Sequence, residues 1–223
     1  MIYFNQQHHI PFERLQEISE DCFGLSISDG VLQKSNELCY ENLEQTEIVI
    51  KEKIIRSEVI HNDETGMRCE GKTQWVHNSS TNDYTHYSIQ PKRGREGIDA
   101  IGILTLFTGV SVHDRWASYD DYECEHALCN AHLLRDLKFI AEETGRKWAG
   151  KMIALLVEAN EYKKQGWFNR GNIKSIETRS RAIVRIGRKE EPPLLKACEV
   201  KRGRKAKSKS LNLLEVITRR SEQ

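Results

Sequence analysis

Two carboxylates and one cluster of soft ligands are the residues best equipped for chemistry. Asp63 lies in His61-Asn62-Asp63-Glu64-Thr65-Gly66, and Asp114 in Val112-His113-Asp114-Arg115-Trp116, each where a short β-type run ends. In a sheet whose first and fourth strands are neighbours, both carboxylates would emerge at one edge and could share metal ions. Hard oxygen donors of this kind suit Mg²⁺ or Mn²⁺, which take a few carboxylates and complete their shell with water and phosphate oxygens. A pair of such ions about 3.5–4 Å apart activates an attacking hydroxyl and stabilises the leaving oxygen in phosphoryl transfer. Aspartate is also common in turns at strand ends, so spacing alone leaves both readings open.

Cys124, His126, Cys129 and His132 place four ligands within nine residues, enough in kind for tetrahedral Zn²⁺. The spacing is not that of a standard finger. The segment reads as a strand running into a helix, which would aim Cys129 and His132 differently from Cys124. Core packing and structural support of a neighbouring site is the preferred role for Cys129 and His132. Lys92, Arg93 and Arg95 form one basic spot, either a phosphate contact or a solvated turn. Lys201, Arg202, Arg204, Lys205, Lys207 and Lys209 form a stronger one. Contacts to phosphate position DNA without reading its sequence, and binding through them falls steeply with salt. Trp75, Trp116, Trp148 and Trp167 are dispersed, which gives no support for a base-stacking platform. No phosphate-cradling glycine loop and no serine or cysteine nucleophile motif is present.

The elements that must position these residues are legible from periodicity. Phe12, Leu15, Ile18 and Phe23 predict a helix closing at Gly24, and Val31, Leu32, Leu38 and Leu43 begin a long charged one reaching Ile55. Together they outline a helix-turn-helix, with an ordinary helical hairpin the favoured reading. From Ser57 the pattern becomes β-rich: Val59 to Asp63, Thr73 to His77 and Tyr84 to Ile89 predict three strands joined by hairpins. A helix over Arg95 to Leu104, a strand over Gly109 to His113 and a short strand over His126 to Cys129 follow. Leu133 to Glu143 and Trp148 to Tyr162 predict amphipathic helices. Beyond Gly166 the pattern weakens, apart from a short helix over Leu211 to Ile217.

The 223 residues are 38% hydrophobic and 30% charged, a globular balance. No apolar run approaches the ~20 residues that span a bilayer, and the first residues show no secretory pattern, so a cytoplasmic protein with no membrane partner is expected. Six cysteines scattered through such a chain are expected to be reduced thiols. The net charge of +1 hides an asymmetry: residues 166–223 carry +10 and residues 1–165 carry −9. An acidic body with a basic tail suggests contact with a polyanion, although such tails are often simply solvated.

The words around the two aspartates narrow the choice. Asp63-Glu64-Thr65-Gly66-Met67-Arg68, Gly71-Lys72-Thr73-Gln74-Trp75-Val76-His77, Pro91-Lys92-Arg93-Gly94, Asp99-Ala100-Ile101-Gly102 and His113-Asp114-Arg115-Trp116 recur in order. With His126-Ala127-Leu128-Cys129-Asn130-Ala131-His132-Leu133-Leu134-Arg135-Asp136, they resemble the catalytic region of insertion-sequence-66-type transposases. The resemblance implies an α/β fold: a ribonuclease H-like mixed sheet with flanking helices, preceded by a helical segment and followed by a helical insertion and a basic tail. The implied divisions are a helical lead-in over 1–56, an incomplete catalytic core over 57–145, a helical insertion over 146–200, and a basic linker with the start of a helix over 201–223.

The resemblance also implies DDE chemistry, in which two aspartates and a glutamate hold divalent metals for DNA strand cleavage and transfer. Asp63 and Asp114 match the first two acids. The third belongs to an Asn-Asn-x-Ala-Glu-Arg word that this sequence lacks, and Asp136, Glu142 and Glu143 are the local substitutes to test. The family's amino-terminal zinc- and DNA-binding region is not matched either. The expectation is a partial transposase with little activity alone, its partners being transposon ends, target DNA, and a full-length transposase or a second copy. The alternative is a noncatalytic DNA-binding or regulatory protein.

Overall fold

The computed structural model describes residues 1–167, 169–191 and 207–220. Three helices lead in: α1 (Ile2–Gln6), α2 (Phe12–Phe23) and α3 (Asp29–Ile55). Ser28 caps α3 by accepting a hydrogen bond from the Val31 amide, satisfying one of the donors that a helix start leaves open. Three strands follow, β1 (Val59–Cys69), β2 (Lys72–Ser80) and β3 (Thr85–Gln90), then α4 (Arg95–Ile101), β4 (Val110–His113) and β5 (Glu125–Leu128). The helices α5 (Asn130–Thr144), α6 (Lys147–Lys164), α7 (Arg170–Glu190) and α8 (Lys209–Arg220) complete the order.

The sheet runs β3-β2-β1-β4-β5. Its β1–β2 and β2–β3 pairs are antiparallel, whereas β1–β4 and β4–β5 are parallel. A three-strand meander continued by two parallel strands, with helices flanking it, is the mixed sheet expected of a ribonuclease H-like fold. The centre of the sheet is polar as well as apolar. Asn62 on β1 donates to Ser111 on β4 at 2.9 Å and accepts from Ser79 on β2 at 2.7 Å, and all three are buried.

Among the described residues, two hydrophobic cores form. One lies against the sheet and combines Ile54 of α3, Ile60 of β1, and Ile98 and Ile101 of α4 with Phe107, Tyr119, Tyr122 and Cys124. The other joins Leu133, Leu137 and Ile140 of α5 to Trp148, Met152 and Leu155 of α6, Ile183 and Val184 of α7, and Leu213 and Leu214 of α8.

Four expectations are corrected. Asp63 is not at a strand end: β1 continues to Cys69 because β2 pairs with it along its length, from His61↔Ser80 to Cys69↔Lys72. Helix α4 stops at Ile101 because Gly102 adopts a left-handed conformation, φ 75°, which carries no Cβ penalty at glycine. Ile103 and Leu104 beyond it are nevertheless buried. The weak pattern after Gly166 is a 21-residue helix, α7, capped by Asn169. Its buried stripe is only Ile183, Val184 and Gly187, so charge dominates its sequence. Cys129, expected to end a strand, is the N-cap residue of α5.

Candidate functional site

Strand β1 is the hub, since it pairs antiparallel on one side and parallel on the other. Its parallel ladder with β4 pairs Val59 with Val110, Ile60 with Ser111 and His61 with Val112. That ladder ends at His61 and Val112, and Asp63 and Asp114 each lie two residues further along their strands' course. Side chains alternate along a strand, so Asn62 and Glu64 belong to the opposite face. Asp63 is exposed and accepts from the Glu64 amide at 2.9 Å. The Asp114 side chain is 24% exposed, and its Oδ1 accepts from the Trp116 amide at 2.7 Å. That bond shapes the turn after β4, so Asp114 has the local turn role as well as a site position.

Glu64 organises the other face. Its side chain is 0% exposed. Arg93 donates to Oε1 through Nε at 2.8 Å, with its Nη2 also 2.8 Å from that oxygen, and the Tyr119 hydroxyl donates to Oε2 at 2.5 Å. Arg93 Nη2 also lies 3.6 Å from Asp114 Oδ2. The guanidinium sits 4.2 Å from the Trp116 ring centre and 5.1 Å from that of Trp75, a cation-π arrangement that helps hold it in place. A buried carboxylate is tolerated only when paired and hydrogen-bonded, and Arg93 with Tyr119 meets that requirement. Burial foremost, then the negative charge of Glu64 and its hydrogen bond, with smaller contributions from Asp114 and Asp63, push the Tyr119 hydroxyl far above the usual tyrosine range. Tyr119→Phe is expected to cost about 1.5–3 kcal/mol, the range for a hydrogen bond to a charged group. Urea denaturation would measure it, and a loss below about 0.5 kcal/mol, within the scatter of ordinary surface substitutions, would show that Arg93 alone satisfies Glu64.

The sequence singled out Arg93 for phosphate, but the structure gives it these intramolecular partners. Arg95 is an exposed neighbour of Asp99 at 3.5 Å and of Asp121 at 3.9 Å, and Lys92 is exposed. Lys207 pairs with Glu215 at 2.6 Å. Lys209 lies 4.6 Å from the Phe139 ring centre and lines a cavity of about 390 Å³ with Arg115 and Arg135, two cations that sequence reading did not pick out. Lys201, Arg202, Arg204 and Lys205 lie outside the described residues.

Of the local acids, Asp136 is paired with Arg115 at 2.5 Å and Glu142 with Lys138 at 3.8 Å, while Glu143 is exposed. Among the described residues, no third ligand group joins Asp63 and Asp114 closely enough to share an ion. The set Cys124, His126, Cys129 and His132 does not gather around one point either. Cys124 is buried, and that burial pushes its thiol up. Nδ1 of His132 is buried without a hydrogen-bond partner among the described residues. His126 turns away from the set towards His113. The five cysteines among the described residues, Cys22, Cys39, Cys69, Cys124 and Cys129, are free thiols, and no described helix is long and apolar enough to cross a membrane.

No curated protein sequence matches the chain. Two solved structures are similar in part. The HTLV-2 integrase catalytic core domain in complex with magnesium has 16% identity over 55% of this chain and 81% of its own, with a TM-score of 0.27. The simian T-cell lymphotropic virus intasome in complex with PP2A regulatory subunit B56 gamma has 13% identity over 69% of this chain, with a TM-score of 0.28. Of that second chain only 62% is spanned. The family model described as Transposase IS66 family matches residues 1–223, and the chain belongs to that family.

Proposed function

We propose that this chain carries the metal-binding half of a DDE-type transposase site, which acts on DNA phosphodiesters by strand cleavage and strand transfer. The supporting observation is the parallel β1–β4 pairing, from whose last pair, His61 and Val112, Asp63 and Asp114 each lie two residues on, in a member of a transposase family. Both offer hard oxygens with access to solvent, the donor type for Mg²⁺ or Mn²⁺, and such ions commonly use one or two carboxylates plus substrate phosphates. Such an ion, when bound, neutralises phosphate charge and makes a hydroxyl a better nucleophile. Asp63 and Asp114 would hold it. The Trp116 amide orients Asp114, and Arg93, braced by Glu64 and two tryptophans, limits how far that carboxylate can swing.

For the DNA itself, Arg115, Arg135 and Lys209 line one cavity, and Arg115 directly follows Asp114. With Lys92, Arg95, Lys207 and the basic run around Lys201, they supply a sequence-independent attraction to transposon ends and target. A second copy, or an intact transposase, is the protein partner that fits such an assembly.

One observation favours the second reading, a noncatalytic DNA-binding or regulatory chain: among the described residues, no third acid accompanies the two aspartates. Losing even the residues that support metal ligands costs about 10–100-fold in affinity or activity. The expected result with purified chain, Mg²⁺ and end-containing DNA is therefore salt-sensitive binding without strand transfer. Mn²⁺ titration is expected to show weak uptake that both Asp63→Asn and Asp114→Asn reduce at least ~10-fold. Robust transfer by the chain alone would overturn the noncatalytic reading, and Mn²⁺ uptake indifferent to both variants would overturn the site.

A further inference from the structure

The structure assigns a second metal site, separate from Asp63 and Asp114, in which His113 Nε2, His126 Nδ1 and the Asp120 carboxylate bind a zinc-class divalent ion. These three residues are the one group among the described residues whose ligand atoms all lie within 4.8 Å of one another. His113 ends β4 and is 0% exposed, His126 lies on β5, and Asp120 is on the exposed turn between them.

The hydrogen-bond pattern points to a cation. His113 Nδ1 meets the backbone carbonyl of Asp114, and His126 Nε2 meets that of Tyr122 at 3.0 Å. A carbonyl only accepts, so each of these nitrogens must carry the proton, and a neutral imidazole has only one. The two remaining nitrogens, His113 Nε2 and His126 Nδ1, therefore present lone pairs, and they face each other at 3.0 Å. Two lone pairs at that distance repel unless a positive charge lies between them, either a shared proton or a metal ion.

Asp120 favours the metal, because its carboxylate supplies a third ligand. An outer N–H held by a backbone carbonyl is also the arrangement that orients metal-binding histidines and raises their basicity. Two imidazoles and a carboxylate suit Zn²⁺ better than Mg²⁺ or Ca²⁺, which prefer all-oxygen shells. Tetrahedral Zn–N bonds of 2.0–2.1 Å would set the two nitrogens about 3.3 Å apart. The rings need to part by only a few tenths of an ångström from where they stand.

Such an ion would tie the segment carrying Asp114 to two strands at once. His113 immediately precedes Asp114, and Asp120 and His126 close the turn that follows. Tyr119 stacks on His113 with ring centres 4.5 Å apart and also donates to Glu64. The role is positioning, which predicts metal uptake whether or not the chain performs strand transfer.

The test is metal analysis and Co²⁺ titration of the full chain, purified without chelator and dialysed. One equivalent of Zn²⁺ per chain is expected, with a tetrahedral Co²⁺ absorption spectrum and a rise in melting temperature on loading. Asp120→Asn and His126→Asn should each weaken uptake at least ~10-fold, whereas the double variant Asp63→Asn/Asp114→Asn should retain it. Asp120 is exposed, so its variant reports even if the histidine variant fails to fold. No stoichiometric uptake, uptake unchanged by Asp120→Asn, or uptake lost in the aspartate double variant would each overturn the site.

Discussion

Arg93→Ala is expected to destabilise the chain by about 3 kcal/mol, making it one of the most damaging single charge removals in the site. Removing one partner of a buried ion pair typically costs about 3–5 kcal/mol, because the other charge is left without compensation. Glu64 is fully buried, but Arg93 is 36% exposed. Water can therefore reach part of the vacated space, which sets the loss at the lower end. Adding Glu64→Gln to Arg93→Ala removes the stranded charge, so the double variant should lose less than the single one, and urea midpoints of the four proteins measure that coupling. Arg93→Lys should restore little, since an ammonium cannot reproduce the two-nitrogen grip on Oε1 or the stacking between Trp75 and Trp116. If Arg93 acted mainly on DNA phosphate, its removal would instead lower DNA affinity and leave stability within about 0.5 kcal/mol of the parent.

Gly109→Ala is the second large effect, and it acts through the backbone. A Cβ at this position would stand 2.4 Å from the Glu58 carbonyl oxygen and 2.7 Å from the Phe107 ring. The Glu58 carbonyl already accepts from Val110 at 2.8 Å, and the Gly109 carbonyl accepts from Glu125 at 3.0 Å. The strand is held from both sides, and relief requires moving β4 away from β1. A loss of about 3 kcal/mol is expected, the upper part of the usual ~1–3 kcal/mol for overpacking. Because β4 leads to Asp114, Mn²⁺ uptake by the folded fraction should weaken as well. Gly150 on α6 is the control: nothing stands within 4 Å of its Cβ position, so Gly150→Ala should stabilise by about 0.5–1 kcal/mol. A Gly109→Ala protein as stable as its parent, with unchanged uptake, would show that the two strands tolerate separation.

The sheet was readable because alternation and turn residues are local signals. Val59 to Asp63, Thr73 to His77 and Tyr84 to Ile89 announce strands without reference to any distant residue. What β1 pairs with was not local, and so the strand's continuation past Asp63 came only from β2 opposite it. Helix α7 falls within the helical insertion that the resemblance implies, but periodicity does not show it, for a related reason: its buried stripe is short, and one of its members is Gly187, which carries no hydrophobic signal. The two aspartates were legible as words, but the Glu64–Arg93–Tyr119 network was not, since 29 and 55 residues separate its partners. His113 and His126 sit 13 residues apart, on consecutive strands joined by a turn. His126 was therefore grouped with its sequence neighbours Cys129 and His132 rather than with its spatial one.

The buried trio Asn62, Ser79 and Ser111 has a further consequence, for fidelity of folding. Shifting β1 by one residue would turn Ile60 outward, and burial alone forbids that. A shift of two residues keeps every side chain on its own face, so hydrophobic pattern is nearly blind to it. It would, however, strand a buried amide and two hydroxyls without partners, at about 1–3 kcal/mol each. The trio works as a vernier across three strands, rejecting the one misalignment that greasy contacts would accept. Because Asp63 is the next residue after Asn62, the same vernier fixes where Asp63 stands relative to β4.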